Sequence, residues 1–200
     1  REHPELKDVD LDIKHLLSSW FNRGFLEVQE INWRTPAVIL EKLIEYEAVH
    51  EIQGWDDLRR RLDQDRRCFA FFHPALPDEP LIFVEVALVK GLASAVQPLL
   101  DQEEERLSET KADTAIFYSI SNCQDGLKGI SFGNFLIKQV VAELSAELPN
   151  LKHFSTLSPI PGFMKWFAGT DGAIGGLSED RVKDVKKHLL DKDWYRKKEI

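Results

Sequence analysis

The fold class is decided by residues 114–144, which read TAIFYSISNCQDGLKGISFGNFLIKQVVAEL. The first part is rich in aromatic and β-branched residues and predicts a strand. Gly126, Gly129 and Gly133 then punctuate a loop, after which apolar residues recur every three or four positions, as on one face of a helix. Free N–H groups and the helix dipole favour an anion at a helix N-terminus, so a glycine loop in this place is suited to phosphate groups.

The next segment predicts that the helix leads to a neighbouring, parallel strand. Residues 153–157 read as a short strand, and Ser158-Pro-Ile-Pro-Gly-Phe163 reads as a turn that two prolines restrict. A strand, a helix and a strand in this order form a right-handed crossover with parallel strands. A serine at the end of the second strand suggests chemistry beside a phosphate-bearing cofactor.

An antiparallel hairpin is predicted ahead of this crossover. Residues 68–73 and 81–89 are β-rich runs, and three prolines within residues 74–80 keep either strand from continuing. The predicted fold class is therefore α/β (α+β), with a mixed sheet that contains a β-loop-α-β crossover.

The first sixty residues read as helices. One is predicted from Leu11 to Phe25, one begins with Thr35 as N-cap and Pro36 at its first position, and a short one spans Trp55–Leu62. A last helix is predicted from about Glu179 to Leu190.

The composition is that of a globular protein and excludes several classes of function. The chain has 200 residues, 43% hydrophobic and 30% charged, with a formal net charge of -8. Such a balance argues against nucleic acid as the main partner, and no apolar run approaches the roughly 20 residues that a membrane span needs. Cys68 and Cys123 have neither disulfide-framework nor metal-ligand spacing, and the six histidines offer no pair at metal-ligand spacing.

One local exception is a cluster of five arginines at positions 59, 60, 61, 66 and 67. We expect a solvated helix end there, and contact with a phosphate is the alternative because arginine suits phosphate.

The loop and the serine each have an ordinary interpretation as well. The loop lacks the Gly-Lys-Ser/Thr of a Walker motif and does not fit the dinucleotide-binding spacing, so it can be a plain glycine loop with a helix cap at Ser131. A Ser-Pro pair at a strand end is most often only a turn.

The chain nevertheless resembles the malonyl-CoA decarboxylase family over most of residues 13–167. The resemblance is carried by six segments: Thr114–Ser121, Gly126–Lys138, Phe154–Phe163, Leu17–Phe25, Glu47–His50 and Arg66–Cys68. The block Ser-Pro-Ile-Pro-Gly-Phe is the most specific of them.

The resemblance implies a fold and a set of site residues. The family's catalytic domain resembles the GNAT acetyltransferase fold, in which a glycine loop binds the CoA pyrophosphate and the pantetheine arm enters where two parallel strands splay apart. It implies Ser158 as the catalytic serine, which also touches the substrate. The implied malonyl-CoA loop consists of Lys128, Gly129, Ile130, Ser131, Phe132, Gly133 and Asn134.

The implied reaction converts malonyl-CoA to acetyl-CoA and CO2 with no metal or organic cofactor. Loss of CO2 leaves an enolate, so the site must donate hydrogen bonds to the thioester oxygen and then deliver a proton to carbon. Ser158 can stabilise that oxygen or orient the malonyl carboxylate, and the sequence does not choose between the two roles. Two alternatives stay open: an acyl-CoA N-acetyltransferase and a non-catalytic CoA-binding module.

The sequence departs from the family pattern in one respect. The family pairs its serine with a proton-donating histidine further along, and no histidine here matches that motif. We therefore expect a fragment that is inactive alone, with residues 1–50 as a helical linker or the end of an N-terminal helical domain and residues 51–200 as a partial GNAT-like catalytic domain. The ligands would be malonyl-CoA and acetyl-CoA, without nucleic acid or membrane, in a homo-oligomer that is cytoplasmic if bacterial and mitochondrial, peroxisomal or cytosolic if eukaryotic.

Overall fold

The computed structural model describes residues 3–20, 24–127 and 133–191, and it contains both strands and helices along the chain. The strands are β1 (Glu27–Ile31), β2 (Arg66–Phe72), β3 (Ile82–Val89), β4 (Thr114–Asn122) and β5 (His153–Thr156). The helices are α1 (Lys7–Trp20), α2 (Ala37–Tyr46), α3 (Trp55–Arg61), α4 (Gln97–Leu100), α5 (Gly133–Glu147), α6 (Phe163–Gly169) and α7 (Glu179–His188).

The five strands form one mixed sheet in the order β1-β2-β3-β4-β5. Each neighbouring pair is antiparallel except β4 and β5, which are parallel and joined through α5. The predicted hairpin and the predicted β-loop-α-β crossover are both confirmed, and with them the α/β fold class.

Strand β1 was not predicted. It lies within the first sixty residues, which we expected to be helical, and within the stretch 1–50 assigned to a linker. Its five residues have the burial pattern of a half-exposed edge strand, so only Ile31 is fully buried. A single buried position gives too weak a period-2 pattern to identify a strand from sequence.

Helix α5 covers one face of the sheet. Its residues Leu136, Val140 and Leu144 are fully buried at spacings of four, and Phe135 stacks on Phe71 of β2 with ring centroids 5.6 Å apart. This face is apolar, as the helical periodicity of the sequence predicts.

Helices α2 and α3 pack with a second apolar cluster that includes β2 and β3 residues. Ile39, Leu40 and Leu43 of α2 and Leu58 of α3 are all at most 4% exposed. Helix α2 begins one residue later than predicted, because Pro36 takes the N-cap position. Thr35 does not cap the helix, since its Oγ1 accepts a hydrogen bond from the N–H of Asn32.

Helix α1 differs from its prediction in position and in packing. It spans Lys7–Trp20 rather than Leu11–Phe25, and residues 21–23 lie outside the described part of the chain. Leu11, Leu16 and Trp20 of the expected apolar face are exposed. Of the described residues of that face, only Leu17 packs, partly buried, against the apolar cluster between the sheet and α5.

Three of the five clustered arginines are buried, contrary to the expected solvated helix end, whereas Arg59 is exposed. Arg60 and Arg61 of α3 and Arg66 of β2 are only 2–4% exposed. Arg60 donates to both carboxylate oxygens of Asp65 at 2.6 and 3.1 Å, and Arg66 pairs with the same carboxylate at 3.0 Å. A buried arginine requires such partners, so these guanidinium groups pair with a carboxylate inside the protein.

The chain divides into two compact units, residues 1–157 and 158–200. In the second unit the aromatic rings of Phe163, Trp166 and Phe167 on α6 lie 5.6–6.5 Å apart between centroids. Lys186 of α7 lies over the Phe167 ring at 5.7 Å, and Val182 is buried. Helix α7 confirms the predicted last helix, whereas α6 has no counterpart in the prediction.

Candidate functional site

Strand β4 has two halves that differ in their pairing. Thr114–Phe117, the paired half, bonds to β3 on one side and to β5 on the other. Tyr118–Asn122, the open half, continues along β3, but no other strand of the described sheet pairs with its second side. The last hydrogen bond on the β5 side joins the N–H of Leu157, the residue after β5, to the carbonyl of Phe117 at 2.9 Å. Beyond it, no strand of the described sheet pairs with this edge, and Tyr118, Ser119 and Ser121 are at most 2% exposed.

A β-bulge marks the boundary between the two halves. Val86 of β3 lies opposite Phe117, but Glu85 lies opposite Ser119, so Tyr118 is the extra residue. A bulge interrupts the alternation of side chains and bends its strand, and bulges are frequent next to functional sites.

The serines of the open half are held from the end of α2. The hydroxyl of Ser119 donates to Oε1 of Glu47 at 2.7 Å, and that of Ser121 donates to Oε2 at 3.0 Å. The Ser121 oxygen also accepts the N–H of Ala48 at 3.3 Å. All three polar side chains are at most 6% exposed.

Two buried polar atoms without a hydrogen-bond partner among the described residues lie beside the bulge. They are Nε2 of His50 and the hydroxyl of Tyr118, whose rings are 6.3 Å apart between centroids. Burial lowers the pKa of His50, against the opposing attraction of Glu47, so the imidazole is held neutral.

A buried contact between the carboxyl group of Glu85 on β3 and the guanidinium of Arg61 on α3 lies opposite the bulge. Glu85 is 1% exposed, and its Oε2 accepts a hydrogen bond from Nη1 of Arg61 at 2.9 Å. Arg61 also donates to both carboxylate oxygens of Asp57, at 3.0 and 3.2 Å. Burial raises the pKa of Glu85 to about 8, and Arg61 opposes that shift.

The predicted substrate loop falls mostly outside the described residues. This holds for Lys128, Gly129, Ile130, Ser131 and Phe132. Gly133 and Asn134 are described, and they are the first two residues of α5. A Cβ atom at Gly133 would lie 3.4 Å from Cγ2 of Ile120, so the start of α5 packs against the open half of β4.

Ser158, the predicted catalytic residue, is the first residue of the second unit and is exposed. The turn after it is well defined, because the N–H of Phe163 bonds to the carbonyl of Ile160 at 3.1 Å. Pro161 and Gly162 are its central residues, and Gly162 has φ of 76°, as a type II turn requires. The predicted rigid proline turn is therefore confirmed, whereas the role of Ser158 stays a prediction.

Sequence reasoning missed Glu47, Ser119 and Ser121 as site residues. A signal was present, since two serines at alternate positions of an otherwise apolar strand place polar groups on one face. Their partner lies more than seventy positions away in sequence, and a pairing at that distance depends on the fold rather than on local spacing.

A cavity of about 400 Å³ lies at the other end of the sheet, where β3 ends, and Arg60, Arg66 and Lys90 are among its lining residues. Both arginines are already paired with Asp65. The described residues contain no group of three metal-ligating side chains. None of the helices in the described part of the chain has the length and apolar character needed to cross a membrane.

Comparison with known proteins identifies the family. The sequence model of one protein family, the malonyl-CoA decarboxylase C-terminal domain, matches residues 24–200. The chain belongs to the malonyl-CoA decarboxylase family. The resemblance stated from sequence is thereby confirmed.

Solved structures of malonyl-CoA decarboxylases share this fold. The one from Agrobacterium vitis is 54% identical with a TM-score of 0.83, and it is matched over 96% of this chain and 48% of its own. The one from Rhodopseudomonas palustris is 56% identical with a TM-score of 0.78, over 98% of this chain and 48% of its own.

Curated relatives agree with these structures. The mitochondrial malonyl-CoA decarboxylase of the goose Anser anser anser is 38% identical over 98% of this chain and 43% of its own length. The mitochondrial enzyme of Rattus norvegicus is 41% identical over 84% of this chain and 35% of its own. The chain thus spans less than half the length of the relatives it matches.

Proposed function

We propose that the protein carrying this chain is a malonyl-CoA decarboxylase, which converts malonyl-CoA to acetyl-CoA and CO2. The observation that carries the proposal, beyond family membership, is the open half of β4. A parallel strand that loses its neighbour part-way leaves a row of backbone N–H and C=O groups without a strand partner. The pantetheine arm of CoA has two amides, which pair with such an edge as an added strand would.

We propose that the loop of residues 128–134 binds the diphosphate of CoA. Its glycines allow backbone N–H groups to approach the phosphates closely, and the N-terminus of α5 adds a favourable dipole. The packing of Gly133 against Ile120 supports this assignment, because it joins the loop's end to the open half of β4.

We propose Ser158 as the catalytic serine. Breaking the bond between the malonyl carboxylate and Cα releases CO2 and leaves the electron pair on the thioester enolate. The Ser158 hydroxyl can donate a hydrogen bond to the enolate oxygen or orient the carboxylate before it leaves. A proton must then be delivered to carbon, and we assign this step to the histidine that the family resemblance implies, which no histidine within residues 1–200 matches. Because the thioester carbonyl accepts the electron pair, the reaction needs no metal or organic cofactor.

The test is substitution of Ser158→Ala in the full-length protein, with Ser155→Ala of β5 as the matched control. We expect Ser158→Ala to lower the rate of CO2 release by about 10² to 10³, as loss of one oxyanion donor does. Affinity for acetyl-CoA, measured by calorimetric titration, should stay within about threefold, and Ser155→Ala should behave as wild type.

Unchanged CO2 release by Ser158→Ala would refute the role of the serine. Acetylation of an amine without CO2 release by the wild-type protein would show an N-acetyltransferase instead, and binding of acetyl-CoA without turnover would show a non-catalytic module. We expect residues 1–200 alone to release no CO2, because the proposed proton donor is absent from them.

The cellular setting is part of the same proposal. We infer a homo-oligomer without nucleic acid or membrane partners. The enzyme would be cytoplasmic in a bacterium and mitochondrial, peroxisomal or cytosolic in a eukaryote. The goose and rat relatives named as mitochondrial support the eukaryotic case.

A further inference from the structure

The carboxylate of Glu47 is buried without an ion pair to any described lysine or arginine. It is 6% exposed, yet it accepts four hydrogen bonds. Two come from backbone N–H groups of the loop after α2, Val49 at 2.9 Å and His50 at 2.8 Å. The other two come from the hydroxyls of Ser119 and Ser121. The carboxylate therefore links the loop of residues 47–50 to the open half of β4.

Such an arrangement is costly if stability is its only purpose. Burial of a carboxylate carries a large desolvation penalty, and well-packed apolar side chains often stabilise a core at least as well. The neighbouring paired half of β4 shows the apolar solution, since Ala115, Ile116 and Phe117 are buried there. A polar link at this one place points to a requirement of the open half.

That requirement follows from the missing strand. The paired half is fixed by hydrogen bonds from β3 and β5, whereas β3 is the only strand of the described sheet that pairs with the open half, which is also bulged at Tyr118. The backbone N–H of His50 donates to Glu47, and the His50 ring lies 6.3 Å from the Tyr118 ring between centroids. The link from Glu47 thus supplies part of the restraint that a second neighbouring strand would give.

We propose that Glu47 is a positioning residue, which holds the open half of β4 in the shape that receives the acyl-CoA arm. It acts through Ser119 and Ser121 and does not touch the reacting atoms. The backbone edge is then already ordered when the substrate binds, so the free energy of binding does not include the entropy cost of ordering it. This inference rests on the proposed function, because it assigns the arm of an acyl-CoA to that edge.

The test compares Glu47→Gln with Asp65→Asn in the full-length protein. Both replace a buried, hydrogen-bonded carboxylate by its amide, but Asp65 lies at the end of the sheet where β2 begins. The amide nitrogen of Gln cannot accept a hydroxyl hydrogen and can only donate to the serine, so the charge and the direction of one hydrogen bond are lost while the volume is kept. We expect the KM for malonyl-CoA and the Kd for acetyl-CoA to rise about tenfold, as loss of one charged hydrogen bond predicts. The kcat should change less than about threefold.

Asp65→Asn should lower the melting temperature while leaving KM and Kd unchanged. Ser119→Ala and Ser121→Ala provide a second route if Glu47→Gln does not fold, and each should raise both constants by a factor of about 3 to 5. A folded Glu47→Gln protein, or folded serine variants, with wild-type KM and Kd would overturn the proposal. Equal increases for Asp65→Asn would do the same, because they would show a general effect of lost stability.

Failure of the proposed function gives a different pattern. If the wild-type protein binds acetyl-CoA but releases no CO2, the decarboxylase proposal fails while the Kd of Glu47→Gln still tests the positioning role. If the wild-type protein binds no acyl-CoA at all, both proposals fail.

Discussion

The two halves of strand β4 share one backbone, but they are stabilised in different ways. The paired half is held by strands on both sides and carries apolar side chains. The open half is held by one strand and by hydroxyl groups that donate to Glu47. The difference shows that one strand can serve stability at one end and a binding site at the other, and that the boundary lies at the bulge of Tyr118.

The largest expected difference between the halves is in stability. Phe117 is 2% exposed and belongs to the apolar cluster beneath α5. Phe117→Ala should lower the free energy of unfolding by about 3–5 kcal/mol, because it removes buried apolar surface and leaves a cavity. Urea unfolding would measure this loss, and the KM of the folded protein should not change.

Ile120→Ala is the matched change in the open half. Ile120 is only partly buried, so its truncation should cost less than about 2 kcal/mol by the same transfer and cavity effects. Equal losses for the two variants would show that the open half carries as much of the core as the paired half.

Local sequence patterns predicted the parts of the fold that depend on neighbouring residues. The runs of residues 68–73, 81–89 and 114–120 and the apolar spacing of α5 have strong periodicity, and these elements are confirmed. The family resemblance was also available from sequence, because the block Ser158-Pro-Ile-Pro-Gly-Phe163 is specific.

The parts that sequence did not predict depend on contacts between distant residues. Arg61 reads as a surface charge with a local partner in Asp57, four positions earlier on α3, and only the fold brings Glu85 to it. Glu47 likewise reads as an ordinary residue at a helix end, since its serines come more than seventy positions later. A bulge such as that at Tyr118 has no distinct composition, so it is found only from register.

A second difference between the halves concerns how stability depends on pH. It arises because Glu85 of β3 lies opposite the bulge. Its pKa is raised to about 8 by burial, from an ordinary value of 4.5. The folded state therefore holds this proton more tightly than the unfolded chain. The resulting stability is present below about pH 4.5 and is lost as pH rises towards about 8.

Glu85→Gln removes this titration. The wild-type free energy of unfolding should fall with pH relative to that of Glu85→Gln, by at most about 1.4 kcal/mol per pH unit. Urea unfolding at several pH values between about 5 and 8 would measure the slope. Glu41→Gln, at an exposed position of α2, should keep the wild-type slope. Parallel curves for Glu85→Gln and wild type would mean that Glu85 stays ionised beside Arg61 throughout.

The smallest expected effect on stability comes from substitution of Gly133, the first residue of α5. A Cβ atom there would meet Ile120 at 3.4 Å and Ile82 at 3.6 Å, both ordinary contacts. Gly133→Ala should therefore leave the free energy of unfolding unchanged or raise it by up to about 1 kcal/mol, since alanine favours a helix over glycine. If the start of α5 approaches the CoA diphosphate, the added methyl group should weaken acetyl-CoA binding about tenfold, or about 1.4 kcal/mol.

Acetyl-pantetheine separates this effect from a disturbance of the open half, because it has the thioester arm but lacks the nucleotide diphosphate. Its affinity should be the same for Gly133→Ala and wild type. Gly169→Ala, in α6 with open space around its Cβ position, should leave both ligands unaffected. Weaker binding of both ligands to Gly133→Ala would instead trace the loss to Ile120 and the open half of β4, and unchanged binding of both would remove Gly133 from the phosphate site.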